Sequence, residues 1–267
     1  MIFVSASVTA IFSAKLSRDP LKSGSYGVGF TINKGVYAEL SDSEGVFLNG
    51  ESISFPTVEF VLRKLNAKGV ELRSEVPISC GFGVSGASAL ATALEIAVRK
   101  NIPFFEAADV AHEAEVVNRT GLGDVVTQCF GGVVARLKAG SPSRAVVDRY
   151  LFKEKLDFLV MGELPTEDVL KRDMKYINRT GKKYLKEFLR KPSVSNLFDA
   201  SKKFAIESGL ADDDIINVIE AVESHGGKAS MIMLGKGVFA LNGWEAFKEF
   251  KGEKFRADID FCSYKIL

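Results

Sequence analysis

Histidine is nearly absent from this 267-residue chain: only His112 and His225 could supply imidazole, which excludes a histidine metal cluster. Cysteine is scarce too. Cys80, Cys129 and Cys262 are odd in number and have no C-x-x-C spacing, so the thiols read as reduced rather than as a disulfide frame or a zinc site. Neither sign of charge is in excess. Lysine plus arginine total 35 against 34 acidic residues, so no global field favours nucleic acid or an anionic membrane, and any recognition of phosphate must be local. Long apolar runs are missing: no window approaches about 18 uninterrupted apolar residues. Met1-Ile-Phe-Val-Ser-Ala lacks the charged and apolar regions of a secretory leader. The expected setting is the cytosol, with neither nucleic acid nor membrane as partner.

What is present is a glycine-rich turn, Pro77-Ile-Ser-Cys-Gly81-Phe-Gly83-Val-Ser85-Gly86-Ala87-Ser88, immediately before a long segment of small apolar residues. Backbone N–H groups of such a turn and of the first turn of a helix converge on one point, and the helix dipole adds positive charge there. The run is therefore expected to cradle phosphate. Gly81-x-Gly83-x-x-Gly86 also matches the dinucleotide fingerprint, with Glu106 near the distance of its acid, but Pro77 argues against the central strand that motif requires. Gly81-x-x-x-x-Gly86-Ala87-Ser88 resembles a Walker A loop without its lysine. Gly83-x-Ser85-x-Ala87 approximates a hydrolase nucleophile elbow, and Asp213 followed by His225 would complete the Ser, Asp, His order, yet no apolar strand or oxyanion loop precedes it.

The chain is long enough for one large domain or two modest ones. Its opening part reads as strands: Ile2 to Phe12, Val28 to Ile32 and Gly35 to Leu40 around a turn at Asn33-Lys34, and Val70 to Val76. A short helix starts at Pro56, where Val58, Val61, Leu62 and Leu65 recur at helical spacing. The glycine turn opens a second helix to about Lys100, with close packing expected from Ala87, Ala89, Ala91, Ala93 and Ala97. Pro103 starts a third helix that runs to about Asn118. Gly121-Leu-Gly123-Asp124 forms a second glycine turn, and Gly131-Gly132-Val-Val-Ala-Arg136 begins a strand. Beyond about residue 150 the pattern becomes α+β, with strands over 156–164, 228–234, 237–241 and 255–261. Helices are expected from Thr166, over 193–207 and 211–223, and from Trp244 to Phe250. Domains of 1–150 and 151–267 follow.

A phosphoryl transferase without a Walker lysine still needs a divalent metal, oxygen ligands and a group to orient or deprotonate the attacking hydroxyl. Glu115 lies near the end of the third helix, and Asp124 follows the second glycine turn. The turn between them can fold both carboxylates toward one pocket. Magnesium takes few protein oxygens besides phosphates and water, and Glu115 with the Ser85 hydroxyl could supply them, leaving Asp124 as general base. A solvated helix-end Glu and a helix-capping Asp are the plain alternative.

These residues carry a resemblance. Pro77-x-x-x-Gly81-Phe-Gly83-Val-Ser85-Gly86-Ala87 is similar to the second motif of the GHMP kinases, P-x-x-x-G-L-G-S-S-A-A, and Gly121-Leu-Gly123-Asp124 ahead of Gly131-Gly132 resembles the segment of their catalytic aspartate. Within that family, Ala111-His112-Glu113-Ala114-Glu115, Asn118-Arg119-Thr120-Gly121-Leu-Gly123-Asp124 and Ala229-Ser230-Met231-Ile-Met233-Leu-Gly235 resemble the archaeal pantoate kinases. The resemblance implies an α+β fold: a strand-rich N-terminal domain with a left-handed βαβ unit and a ferredoxin-like C-terminal domain. It implies that Gly81, Phe82, Gly83, Val84, Ser85, Gly86, Ala87 and Ser88 hold ATP phosphates, that Ser85 and Glu115 bind Mg2+, that Asp124 is the base, and that the chain is a homodimer.

The implied reaction is ATP-dependent phosphorylation of pantoate to 4-phosphopantoate for coenzyme A synthesis. A pocket for this carboxylate with two hydroxyls needs a cation and hydrogen-bonding groups. Arg136 can form a bidentate fork, His112 lies one turn before Glu115, and Ser25 and Thr9 offer hydroxyls. A surface Arg136 and a core His112 are the bland counterparts. Ser5-Ala6-Ser7-Val8-Thr9-Ala10 departs from the P-G-H-I-T-G stretch of the pantoate kinases. Another small hydroxylated substrate such as homoserine, mevalonate or a sugar, or a non-catalytic metabolite sensor on the same fold, are the alternatives.

Overall fold

The computed structural model describes residues 1–163 and 173–267. Its N-terminal half contains β1 (Ile2–Lys15), β2 (Gly24–Ser41), β3 (Gly45–Leu48), β4 (Glu51–Ile53), α1 (Pro56–Lys64), β5 (Gly69–Ser74), α2 (Val84–Lys100), α3 (Phe104–Asn118), α4 (Asp124–Phe130), β6 (Val133–Lys138) and β7 (Val146–Tyr150). The C-terminal half contains β8 (Lys155–Gly162), α5 (Met174–Arg190), α6 (Val194–Glu207), α7 (Asp213–Ser224), β9 (Lys228–Met231), β10 (Lys236–Leu241), α8 (Trp244–Phe247), β11 (Glu253–Asp258) and β12 (Tyr264–Ile266). The expected strand end at Leu164 and helix start at Thr166-Glu167-Asp168 lie outside the described residues.

One sheet runs β12-β1-β2-β5-β3-β4, with β6 on β2 and β7 on β6; the other runs β11-β8-β10-β9. The turn expected at Asn33-Lys34 is instead a bulge inside a single long strand. Ser5 faces Gly35 whereas Ser7 faces Thr31, so β2 uses extra residues there and bends. The bend lets one strand serve two partners: Val36 to Ser41 pair with β5, and Gly27 to Phe30 pair with β6. The strands β3, β4 and β7 were not apparent from the sequence, since each has five residues or fewer, too few to show a clear alternation.

Sheet membership changes between Tyr150 and Lys155, yet the chain does not stay on the second sheet. β12 returns to pair with β1, Ile2 facing Ile266. One continuous core joins the two sheets, in part through phenylalanine pairs: Phe12 with Phe204, Phe30 with Phe239 and Phe82 with Phe158, ring centroids 5.2–5.8 Å apart. The glycine turn is thus clamped by both halves.

Two consequences of sequence position the site. In β1, residues two apart share a face, which puts Ser5, Ser7 and Thr9 in one hydroxyl stripe beside the alternating Val4, Ala6, Val8 and Ala10. In α2, the alanines are not confined to one face: every residue from Ala87 to Ala97 is buried, so small side chains surround the helix and let it run through the core. Arg99 and Lys100 end it in solvent, where cations suit the carbonyl end of the dipole.

Candidate active site

The glycine turn ends at Gly83, whose backbone is left-handed (φ +59°), a conformation available to glycine at little cost. A side chain there is doubly excluded, since a Cβ would come 2.5 Å from Ser7 Oγ. The first α-helical bond after it is Ala87 N–H to Gly83 C=O, and Gly83 brings no capping side chain. The N–H groups of Val84, Ser85 and Gly86 therefore open the helix without intrahelical partners, at the positive end of a 17-residue dipole. Gly81, Phe82, Gly83, Val84 and Ser85 line a cavity of about 290 Å³. Gly86, Ala87 and Ser88 face the core and contribute nothing to that lining; Gly86 packs on Gln128 and Val125.

Ser85 and Glu115 meet. Ser85 Oγ donates to Glu115 Oε1 at 2.6 Å, Thr120 Oγ1 donates to the same oxygen at 2.6 Å, and Thr57 Oγ1 lies 3.2 Å from Ser85 Oγ. Thr120 reaches back because Arg119 ends α3 in a left-handed conformation (φ +58°), which folds the next residue over the helix end. Burial pushes the Glu115 carboxyl up to about 7, the hydroxyl bonds from Ser85 and Thr120 oppose this, and the charge of Asp124 adds to it. The other oxygen of Glu115 sits where Gly121 lacks a side chain: a Cβ there would be 2.1 Å from Oε2 and 3.3 Å from Asp124 Oδ2. The two carboxylates thus converge on one glycine. Among the described residues no cluster of three or more His, Cys, Asp or Glu could hold a metal. Two carboxylates and a serine hydroxyl, however, are a hard-oxygen set that suits magnesium completed by phosphates and water.

Asp124 opens α4, the helix that sequence reading left unassigned between the second glycine turn and β6. Its Oδ1 accepts from Ser7 Oγ at 3.1 Å and from Thr9 Oγ1 at 3.5 Å. Partial burial raises its pKa, while Arg136, Ser7 and Thr9 pull it down. Gln128, one turn along α4, donates to Ser7 Oγ at 3.1 Å and to Gly83 C=O at 2.8 Å. It ties the glycine turn, β1 and Asp124 into one frame.

On the other side of Asp124 lies a second cavity of about 590 Å³, lined by Ser23, Ser25, Gly123, Arg136 and Asn178 among polar groups and by Phe12, Leu122 and Met174 among apolar ones. Thr9, Arg119, Asp124 and Leu234 line both cavities. Arg136 is buried rather than on the surface. Its Nε donates to Ser25 Oγ at 3.2 Å and its Nη1 to Thr127 Oγ1 at 2.6 Å, whereas Nη2 has no hydrogen-bond partner among the described residues. Burial pulls the guanidinium down to about 10, and Asp124 counteracts this. A buried cation with an unsatisfied donor thus stands in the wall of this cavity, beside the Asp124 carboxylate.

His112 lies behind this wall rather than in it. It is 1% exposed, and its Nε2 is 3.0 Å from the carbonyl of Ser23. A carbonyl only accepts, so Nε2 carries the proton; burial lowers the ring's pKa, opposed by the Ser23 carbonyl and Asp109. Sequence reasoning missed Ser7, Thr57, Arg119, Thr120, Gln128, Asn178 and Leu234. Arg119 and Thr120 lay in the turn already singled out, but Thr57 and Asn178 come from distant elements with no local signal. Asn178 Oδ1 accepts from Ala14 N–H at 2.7 Å, which fixes the amide so that its NH2 is left for the cavity.

Residues 53–132 match the family described as GHMP kinases N terminal domain. A pantoate kinase of Thermococcus kodakarensis is 35% identical over 258 residues, which span 90% of this chain and 86% of that protein. A pantoate kinase of Methanocaldococcus jannaschii is 31% identical, over 93% and 94% of the two chains. A solved structure titled a phosphotransferase related to the CoA biosynthesis pathway superposes with a TM-score of 0.87 at 30% identity, covering 99% of this chain and 98% of its own. At 13% identity, the structure of a Methanococcus jannaschii mevalonate kinase shares the fold with a TM-score of 0.67, over 97% and 98% of the chains.

Proposed function

Because this chain belongs to the pantoate kinases of the GHMP kinase superfamily, we propose that it transfers the γ-phosphoryl group of ATP to the primary hydroxyl of pantoate, giving 4-phosphopantoate and ADP for coenzyme A synthesis. The observation that carries this reading is Asp124 standing in the shared wall of two cavities, one opened by a free helix N-terminus and the other holding a buried arginine with a spare donor.

The N–H groups of Val84, Ser85 and Gly86 would receive the ATP phosphates. Ser85 Oγ and Glu115 would hold Mg2+, which when bound offsets phosphate charge. On the acceptor side, Arg136 Nη2 would take the pantoate carboxylate, Asn178 and Ser25 its hydroxyl groups, and Phe12, Leu122 and Met174 its methyl groups. His112 would act through Ser23, by fixing the turn that precedes Ser25. With pantoate so held, its hydroxyl oxygen bonds to the γ-phosphorus, the bond from phosphorus to the ADP oxygen breaks with the electron pair leaving on ADP, and the proton passes to Asp124. Thr9 and Ser7 hold that carboxylate toward the junction. Geometry matters more here than basicity.

A homodimer in the cytoplasm belongs to the same proposal; free Cys80, Cys129 and Cys262 are consistent with that compartment, and light scattering checks the mass. The reaction is tested by ADP release with magnesium-ATP and pantoate, homoserine, mevalonate or galactose, with the product identified by phosphorus NMR. Pantoate-dependent release and a phosphomonoester product are expected. Turnover of another acceptor in preference to pantoate would discard the acceptor assignment, and ATP binding without turnover on any acceptor would favour a sensor.

A further inference from the structure

The charge balance around the nucleotide cavity is unusual for a polyphosphate site. Among the described residues its lining contains the acids Glu115 and Asp124 and no lysine or histidine, and Arg119 is the one basic residue in it. Arg136 lies in the acceptor cavity alone, whereas Arg119 lines both. Its placement follows from the backbone. Arg119 ends α3 in the left-handed region, a position where glycine or asparagine would cost less, and yet a long cation occupies it. Its side chain is exposed and makes no hydrogen bond or ion pair with any described residue. Arg136, the other arginine that lines either cavity among the described residues, is fixed by Ser25 and Thr127.

We propose that Arg119 is a catalytic residue of the transfer: its guanidinium binds the equatorial oxygens of the phosphoryl group as that group crosses from the nucleotide cavity to the acceptor cavity. This rests on the kinase reading above and deepens it. In a loose transition state, charge gathers on those oxygens while the bond to ADP breaks and the bond to the acceptor oxygen forms. Ser85 and Glu115 would hold Mg2+, which would offset part of that charge. A planar fork of N–H donors in the wall shared with Asp124 meets the rest, and a flexible, unpaired arm can follow the phosphorus across. Arg119 and Arg136 thus divide the work. The dry, fixed arginine holds the acceptor carboxylate, and the wet, free one follows the group in flight.

The test compares wild type with Arg119→Gln and Arg119→Lys in two measurements. In steady-state turnover of pantoate, Arg119→Gln is expected to lower kcat about 10²-fold or more, with KM for pantoate and the melting temperature unmoved, because no described contact is lost. Arg119→Lys, retaining charge without the fork, recovers part of the rate. In the second measurement, calorimetry compares magnesium-ADP alone with magnesium-ADP plus aluminium fluoride, a planar mimic of the phosphoryl group in transit. The glutamine variant should lose the affinity gained from the fluoride while binding ADP as wild type does. A rise in KM for ATP with kcat retained would place Arg119 on the ground-state phosphates and overturn the proposal, as would unchanged kinetics or an unchanged fluoride gain. If wild type fails to turn over pantoate, the acceptor reading fails, and the fluoride comparison still decides the role of Arg119.

Discussion

The nucleotide cavity and the acceptor cavity share a wall but are assembled in opposite ways. The first draws mainly on two stretches of chain, 78–85 and 115–124, with Phe55 and the Met233-Leu234 pair closing it. The second collects Phe12 from β1, Ser25 from β2, Arg136 from β6 and Met174 and Asn178 from α5. Local assembly gives a motif: glycines that must adopt left-handed backbone or let a carboxylate approach cannot be replaced one at a time. Dispersed assembly leaves single residues, each of which looks like an ordinary strand or helix position. Under the proposed reading the comparison also separates two kinds of chemistry: phosphate charge would be met by backbone dipoles and metal on one side, and a carboxylate by a buried cation on the other.

If this division is right, substitutions should sort by wall. The largest effect is expected at the shared wall. Asp124→Asn should reduce kcat by about 10³-fold while both substrates still bind; retained turnover would remove the base from the mechanism. Arg136→Met should raise KM for pantoate by about 10²-fold and leave KM for ATP near wild type; an equal rise in both constants would erase the boundary between the cavities. Gly121→Ala tests the convergence of the two carboxylates by shape alone. Gly121 lines the acceptor cavity, and a methyl group there would meet Glu115 Oε2 at 2.1 Å, so the concentration of Mg2+ needed for half-maximal rate should rise; an unchanged Mg2+ requirement would detach Glu115 from the metal.

A smaller effect concerns pH. The Glu115 carboxyl sits at about 7 in the folded, metal-free chain against an ordinary 4.5. Its folded value is raised, so the associated stability is present below 4.5 and is lost as pH rises through about 7. The melting temperature of the metal-free protein should therefore fall across that window, and Glu115→Gln should flatten the slope. If Glu115 holds Mg2+ as proposed, protons compete with it there, so more Mg2+ should be needed as pH drops below about 7. The smallest effect is expected for Ser7→Ala. Loss of its bond to Asp124 should move the acid limb of kcat to higher pH, and an unmoved limb would mean the hydroxyl does not support the carboxylate.

The sequence was most readable where residues act through the local backbone. Pro56, Pro103 and the glycines around 81–86 announced α1, α3 and the start of α2, and Ser85, Glu115 and Asp124 proved to meet in space. The bulge at Asn33-Lys34 was read as a turn because both place polar residues between apolar runs; only the two partners of β2 tell them apart. The short α4 offers too few residues for periodicity. Ser7 was seen only as a departure from a motif, and its bond to Asp124 depends on a strand and a helix more than one hundred residues apart in sequence. Arg136 was singled out for the substrate pocket, whereas Asn178 gave no signal; that the two line one cavity depends on how β6 and α5 pack.

The most direct test of the two-cavity account is calorimetry on Asp124→Asn, titrating magnesium-ATP and pantoate separately and each in the presence of the other, alongside a turnover assay. The account predicts two independent sites, both retained, with catalysis lost. Loss of either binding event, or competition between the two ligands for one site, would contradict it.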